Sequence, residues 1–593
     1  MANYLAVLRH VSRTEEGRIL RDALGPGSED SVVVPLHGGW ELTWIAQQAR
    51  GDLLPEHGLF SGFAVDDADS RIVYGAPGIV RTGGQRLGTD LPGCYVHLDW
   101  SPEHAELSAD LYRSMPVSVT SGPGLTLISD SPYILLQLRR SLGLPVTLDT
   151  AVAESLLWRN SMSGQLLGSR TPAREISYVP VGGRLRLDLG SASSVVQRSG
   201  PQVPALFSPP TADYATELRT AAQRIASLIH TIAASGPEHA RLALSGGKDS
   251  RICLAAALLS PQARESARFS CTNTAEQHRR DYEVVSDLSR EFGFPLGPRQ
   301  PDDDRGAELR RIANPLAVWF SDSSMTYFPV KLQAYSLRAK GPFAIAGFGS
   351  ELYKGNYGLR PVAAIEANIA RAQPRIAASF LELTEEVLRS SGIDPADPLS
   401  AEWHYLLLRN ALHGGRFVPV TKFGLRPLQQ RNLVGLSKMP PDGVLWSSPR
   451  QIPDDLLALL SPSLASRPFD RPAKDRSAAD VVARLRQLGG PLSSSEITTY
   501  AISGSPTDVH DGPVKTLLNL VDQSRIAGRL SRENVAPHVD SAAEAVAAAG
   551  VSADWTALAR EQQTAIRDRS IPVGHTHGMP GRLLAVAEVL RAS

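Results

Sequence analysis

Two textures divide the hydrophobic and polar positions of this chain. Up to about residue 205 the apolar runs are short and broken by Gly, Pro and Asp, as in Ser31-Val-Val-Val-Pro35, Gly93-Cys-Tyr-Val-His-Leu98 and Leu125-Thr-Leu-Ile-Ser129. Such runs, bounded by turn formers, predict a strand-rich region. From Tyr214 onward apolar residues recur at three-to-four spacing, first over 214–235 and again around 276–292, 361–390, 401–413 and 477–488, which predicts helices. The Pro-rich stretch from Gly200 to Thr211 reads as a linker between the textures. An Ala-rich helix is expected from Asp540 to Ala559. Two short apolar runs, 240–244 and 343–346, read as buried strands, each ending in a Gly-rich turn.

Composition narrows the class. At 593 residues, two or more domains with substantial cores are expected. Lys plus Arg and Asp plus Glu number 61 each, so no global field recruits nucleic acid or an anionic membrane. Three cysteines (Cys94, Cys253, Cys271) cannot build a disulfide framework, and a reducing cytoplasmic location is expected. Nowhere do roughly 18 apolar residues run without charge, and the first residues lack a basic stretch before an apolar core. Neither export nor a membrane span is expected.

The chemistry is densest at Ser245-Gly246-Gly247-Lys248-Asp249-Ser250, between the 240–244 run and the helix-prone 251–259. A strand that ends in Ser-Gly-Gly and opens a helix lets the glycines take backbone angles that other residues avoid, and turns N–H groups and the helix dipole toward an anion. Asp249 lies in the first helical turn, too near that anion to be its partner, so a bridging Mg²⁺ is implied. Lys248 is expected to face solvent. About a hundred residues later, 343–346 leads into Gly347-Phe348-Gly349-Ser350-Glu351. Glycines again permit close backbone approach, and Glu351 is expected to face Asp249 across a pyrophosphate and complete the metal site.

S-G-G-x-D-S followed by G-x-G-x-E resembles the synthetase domain of the asparagine synthetase B family, whose second motif is G-x-G-x-D-E-L. Asp110-Leu-Tyr-Arg113-Ser-Met-Pro116-Val117 is similar to the family's D-x-x-G-x-x-P-L, with Arg113 in place of the Gly. Leu127–Leu135, the turn from Val179 to Gly183, and Phe423-Gly-Leu-Arg-Pro-Leu428 with Leu433-Val434 extend the likeness over roughly residues 90 to 475. The resemblance implies an α/β fold. An N-terminal Ntn-glutaminase-like αββα domain over 1–205 would be followed by an adenine nucleotide α-hydrolase-like (PP-loop) synthetase domain over 206–593, with a helical C-terminal part. It implies ATP and Mg²⁺. Ser245, Gly246, Gly247 and Ser250 would hold phosphate, Leu244, Thr272 and Gly347 would line adenosine, and Asp249 and Glu351 would hold the metal. Lys474 matches a late family lysine set against developing negative charge.

Departures from the pattern define the branch. Ala2 stands where family glutaminases carry a nucleophilic cysteine, so glutamine hydrolysis is not expected. Phe348 stands where relatives carry Glu or Tyr and cannot relay a proton, and the family's acidic pair is reduced to Glu351. What remains is ATP activation of a carboxylate as an acyl-adenylate and its capture by an amine. The resemblance is strongest to lasso peptide cyclases, which implies a leaderless precursor peptide as substrate, its leader-processing protease as a partner, and macrolactam closure. A small-molecule amide or β-lactam synthetase, or a noncatalytic nucleotide-binding scaffold, are the alternatives. His575 and His577 read as loop residues. Glu382, Glu385 and Glu386 read as a solvated helix face, and His404 as a buried structural histidine.

Overall fold

The computed structural model describes residues 3–24, 31–55, 58–82, 87–199, 202–236, 239–271, 278–297, 315–330, 343–415, 424–440, 445, 447–509, 517, 520, 532–571 and 578–593. These form a mixed α/β molecule with three sheets. The strand-rich texture builds two of them. In the six-stranded sheet, Tyr4–His10 lies between Leu125–Ser129 and Trp40–Ala46, antiparallel to both. Its first five residues are all buried. Helix Pro132–Ser141 packs on this sheet, and strands of both this sheet and the eight-stranded one contribute to one continuous apolar core. The eight-stranded sheet is centred on Gly58–Asp66 and Gly93–Trp100. Phe63 and Tyr74 set their rings 5.5 and 5.8 Å from that of Phe343, which joins this region to the third sheet.

The third sheet is parallel, in the order Arg268–Cys271, Ala240–Leu244, Phe343–Ala346, Gly424–Leu425. Its first strand in sequence is internal. The chain leaves Ala240–Leu244 toward one edge, then crosses back to add Phe343–Ala346 on the other side. The carboxyl ends of these two neighbours therefore flank the point where the winding reverses, the crevice in which open α/β sheets bind ligands.

Most expected helices are present: Tyr214–Ala234, Lys248–Leu259, Arg279–Phe292, Val362–Ala370, Pro374–Ser390 and Ala478–Gln487. The 401–413 run is helical with a π-helical turn at Tyr405–Asn410. Two expectations need correction. The 200–211 stretch is not a loose linker in its described part, because Val203, Leu206 and Phe207 form one face of helix Val203–Phe207 and are buried. The Ala-rich segment is two helices, Arg532–Ala549 and Ala553–Ala565, because Gly550 turns left-handed (φ +60°) and the Ser552 side chain accepts from Trp555 N–H to start the second. The C-terminal part also returns to the strand-rich region. Ala501–Ser503 pairs in parallel with Arg71–Tyr74, and buried Arg582 donates to the carbonyls of Leu156 (2.9 Å) and Trp158 (2.6 Å). Among the described residues, no helix is long and apolar enough to cross a membrane.

Arg113 illustrates a backbone requirement met by an unfavoured residue. The Asp110 carboxylate accepts from the N–H groups of Ser114 and Met115, both at 2.8 Å, and forces a tight turn. Arg113, in that turn, has φ +53°, where a Cβ costs about 1–2 kcal/mol. Its buried guanidinium donates through Nη2 to the carbonyls of Pro180 (3.0 Å) and Gly183 (2.6 Å), which ties the 110–116 turn to the 179–183 turn. Arg113→Ala and Arg113→Gly both lose these bonds, but glycine relaxes the backbone. Denaturation midpoints should therefore rank wild type above Arg113→Gly, and Arg113→Gly above Arg113→Ala by about 1 kcal/mol.

Candidate functional site

The Ala240–Leu244 strand ends at Ser245, and helix Lys248–Leu259 starts with Gly247 as its N-cap. Neither Gly246 nor Gly247 takes a left-handed φ, contrary to expectation. Space is the reason for Gly246. A Cβ there would lie 2.8 Å from both Asp281 Oδ1 and Asp470 Cβ. At Gly247 a Cβ would meet only Ser245 Oγ at 3.4 Å, an ordinary contact. The two serines lock the turn: Ser250 Oγ accepts from Ser245 N–H at 3.0 Å and lies 3.0 Å from Ser245 Oγ. Gly246 N–H donates to Asp281 Oδ1 at 2.8 Å. A carboxylate from helix Arg279–Phe292 thus holds a backbone donor of the loop.

The second motif meets the first across the sheet. Gly347 is obligatory, since a Cβ would lie 2.4 Å from Ser250 N and 2.5 Å from Asp249 C. Gly349 (φ +124°) then turns the chain into Ser350–Leu352, a single 3₁₀ turn that carries Glu351. Asp249 and Glu351 converge, with Lys354 between them. Its Nζ donates to Asp249 Oδ2 at 2.7 Å, Ser350 Oγ at 3.2 Å and Glu351 Oε1 at 3.3 Å. Ser350 Oγ donates to Asp249 Oδ1 at 2.6 Å, and Gly349 N–H donates to Glu351 Oε2 at 2.9 Å. Burial alone would lower the pKa of Lys354, but the charges of Asp249 and Glu351 outweigh it and hold the amine above its usual range.

This donor set bears on the implied metal. Two carboxylates suit Mg²⁺, which takes one or two protein carboxylates together with substrate phosphates. They fit it once the Lys354 ammonium has moved, because that ammonium now uses the same oxygens. Among the described residues there is no group of three or more His, Cys, Asp or Glu able to hold a metal.

A third segment covers the loop. Buried Arg251 donates to the carbonyls of Arg467 (2.8 Å) and Pro468 (2.7 Å), with its guanidinium 3.8 Å from the centre of the Phe469 ring. Asp470 N–H donates to Gly246 O at 3.1 Å. Lys474 thus comes to the loop through Asp470, to which its Nζ donates at 2.7 Å. Lys248 does not face solvent freely, for it pairs with Asp454. Asp281, Arg251, Lys354, Ser350 and Asp470 escaped sequence reading, because their roles depend on contacts between distant segments.

Other candidates are placed as follows. Phe348 packs 6.0 Å from the His413 ring and 5.1 Å under the Arg426 guanidinium, and His413 Nδ1 lies 3.1 Å from Tyr327 Oη. His404 is fully buried with Nε2 2.8 Å from Leu167 O, and burial pushes its pKa down to about 4. Glu382 and Glu386 pair with Arg170, and Glu385 with Arg389. Leu244 is buried at the strand end, below the loop. Ala2, Thr272, Phe423, His575 and His577 lie outside the described residues. Asn356 and Tyr357, just after the second motif, line a cavity of about 650 Å³ with Arg360, Ile365, Asn368 and Trp158. No protein-family model and no curated protein matches the chain.

Near the start of the chain, Asn3, Gln48, Asp52 and Ser61 enclose only about 10 Å³, scarcely room for one water. Burial pushes Asp52 up to about 7, against a hydrogen bond from Trp44 Nε1 at 2.9 Å. A folded-state pKa above the unfolded one adds stability below the unfolded value, near 3.9, and that stability is lost as pH rises through about 7. Asp52→Asn should therefore raise the melting temperature at pH 8, and the gain should shrink toward zero by pH 4. Separately, Gly347→Ala should cost about 2–4 kcal/mol, read as a lowered denaturation midpoint, since backbone atoms of another helix must give way.

Proposed function

We propose that the chain is an ATP-dependent, AMP-forming carbon–nitrogen ligase of the asparagine synthetase B type, closest in kind to the lasso peptide cyclases. In this reading the antiparallel sheets belong to a glutaminase-like domain without its nucleophile, and the parallel sheet to a PP-loop synthetase domain. The observation that carries it is the meeting of Asp249 and Glu351 between two Gly-rich turns at the reversal point of the parallel sheet. Kinase-type P-loops have a different spacing.

The loop N–H groups of Gly246 and Gly247, once released from Asp281 Oδ1 and Ser245 Oγ, and the hydroxyls of Ser245 and Ser250 would grip the phosphates. A magnesium ion held by Asp249 and Glu351 would neutralise charge on departing pyrophosphate. Lys474, brought to the loop by Asp470, would supply positive charge to the reacting acyl group. Phe348 cannot take a proton from the attacking amine, and the His413–Tyr327 pair beside it supplies an acceptor. A cavity of about 650 Å³, lined by Trp158, Asn356, Tyr357, Arg360, Ile365 and Asn368, begins five residues beyond Glu351 along the chain and offers room for a peptide. A second reading, a noncatalytic nucleotide-binding scaffold, is favoured by Lys354 standing between the carboxylates.

The deciding experiment combines protein, ATP, Mg²⁺ and a leaderless candidate precursor peptide. Mass spectrometry should find a product lighter by one water, with AMP in equal amount; AMP formation only with a small amine would favour a small-molecule ligase, and none at all would favour the scaffold. Asp249→Asn should cut AMP formation by at least about 100-fold while the protein still folds, because Lys354 keeps Glu351 as a partner and what is lost is charge stabilisation at the reacting centre. Glutamate release from glutamine should stay at the buffer rate.

A further inference from the structure

We propose that Lys354 is a tethered counter-cation that keeps free divalent metal out of the Asp249–Glu351 pair, so that metal enters only together with nucleotide phosphates. This rests on the reading of those two carboxylates as the metal-holding pair.

An ammonium group has three protons, and here each has an acceptor: Asp249 Oδ2, Ser350 Oγ and Glu351 Oε1, at 2.7, 3.2 and 3.3 Å. The remaining carboxylate oxygens are engaged as well, Asp249 Oδ1 by the Ser350 hydroxyl and Glu351 Oε2 by Gly349 N–H. The socket is built before any ligand arrives. Lys354 follows Glu351 by three residues, just past the short turn Ser350–Leu352, so its charge is presented at high effective concentration whatever the solution contains. A magnesium or manganese ion approaching alone must displace this ammonium, and nothing in the socket compensates it. An incoming triphosphate changes the balance. Its oxygens give the ammonium new acceptors and release the carboxylates to the metal that travels with the phosphates. Lys354 thereby acts as a positioning residue that couples metal entry to nucleotide entry. The ordering also prevents the two carboxylates from facing each other uncompensated in the unliganded protein.

The test is a titration of the full-length protein with Mn²⁺ in the absence of nucleotide, followed by electron paramagnetic resonance of the free ion. Wild type and Lys354→Arg should show no specific site. Lys354→Met should gain one site per chain, at least about tenfold tighter than any wild-type binding, and Lys354→Met combined with Asp249→Asn should lose it again. Lys354→Gln gives the same readout should the Met variant fail to fold. Equal Mn²⁺ affinity in wild type and Lys354→Met, or no gain in the variant, overturns the proposal. ATP binding by the wild type is measured separately. Its absence would overturn the nucleotide reading and leave the Mn²⁺ result to stand or fall alone.

Discussion

Residues 249 and 351 are about a hundred positions apart, and what brings them together is the parallel pairing of Ala240–Leu244 with Phe343–Ala346. The register sets Ala240 opposite Phe343 and Ala243 opposite Ala346, so both strands end at the same level and their Gly-rich turns emerge side by side. A parallel strand pair needs a long crossover. The Lys248–Leu259 helix, packed against the first strand of that pair, fixes the position of Asp249. Gly347 then allows the second turn to touch the backbone of the first. A slip in register, or a side chain at 347, would separate the carboxylates and with them any common cation site.

Charge balance is the second constraint. Around the loop, cations and anions alternate: Lys354 with Asp249 and Glu351, Lys474 with Asp470, Lys248 with Asp454. Removing one member of such a partly buried pair leaves the other without compensation, which costs more than the pair contributes when intact. A polyanionic ligand can enter by taking over the cations, provided the freed carboxylates find a positive partner.

Much of the scaffold was legible from local pattern. The 240–244 and 343–346 runs, the helix beginning at Tyr214 and the helix-prone 251–259 stretch rest on hydrophobic periodicity, which needs no knowledge of distant segments. The same holds for Asp249 and Glu351, singled out by position after a strand and a Gly turn. Lys354 was overlooked since its meaning depends on strand register. Arg251 was counted with the apolar helix that follows the loop, and only the course of 464–470 explains a buried guanidinium there. Asp281 lies on a helix that periodicity predicts, but its role appears only where the loop folds against it. Gly550 splits what composition alone reads as one Ala-rich helix, and the return of 501–503 to an N-terminal sheet has no local signature.

In the proposed chemistry a carboxylate attacks the α-phosphate of ATP at this site. The direct measurement is isotope transfer from a substrate whose activated carboxylate carries ¹⁸O, with the nucleotide products analysed by mass spectrometry. Acyl-adenylate chemistry predicts one ¹⁸O atom in AMP and none in pyrophosphate. Label in inorganic phosphate with formation of ADP, or AMP free of label, would contradict it.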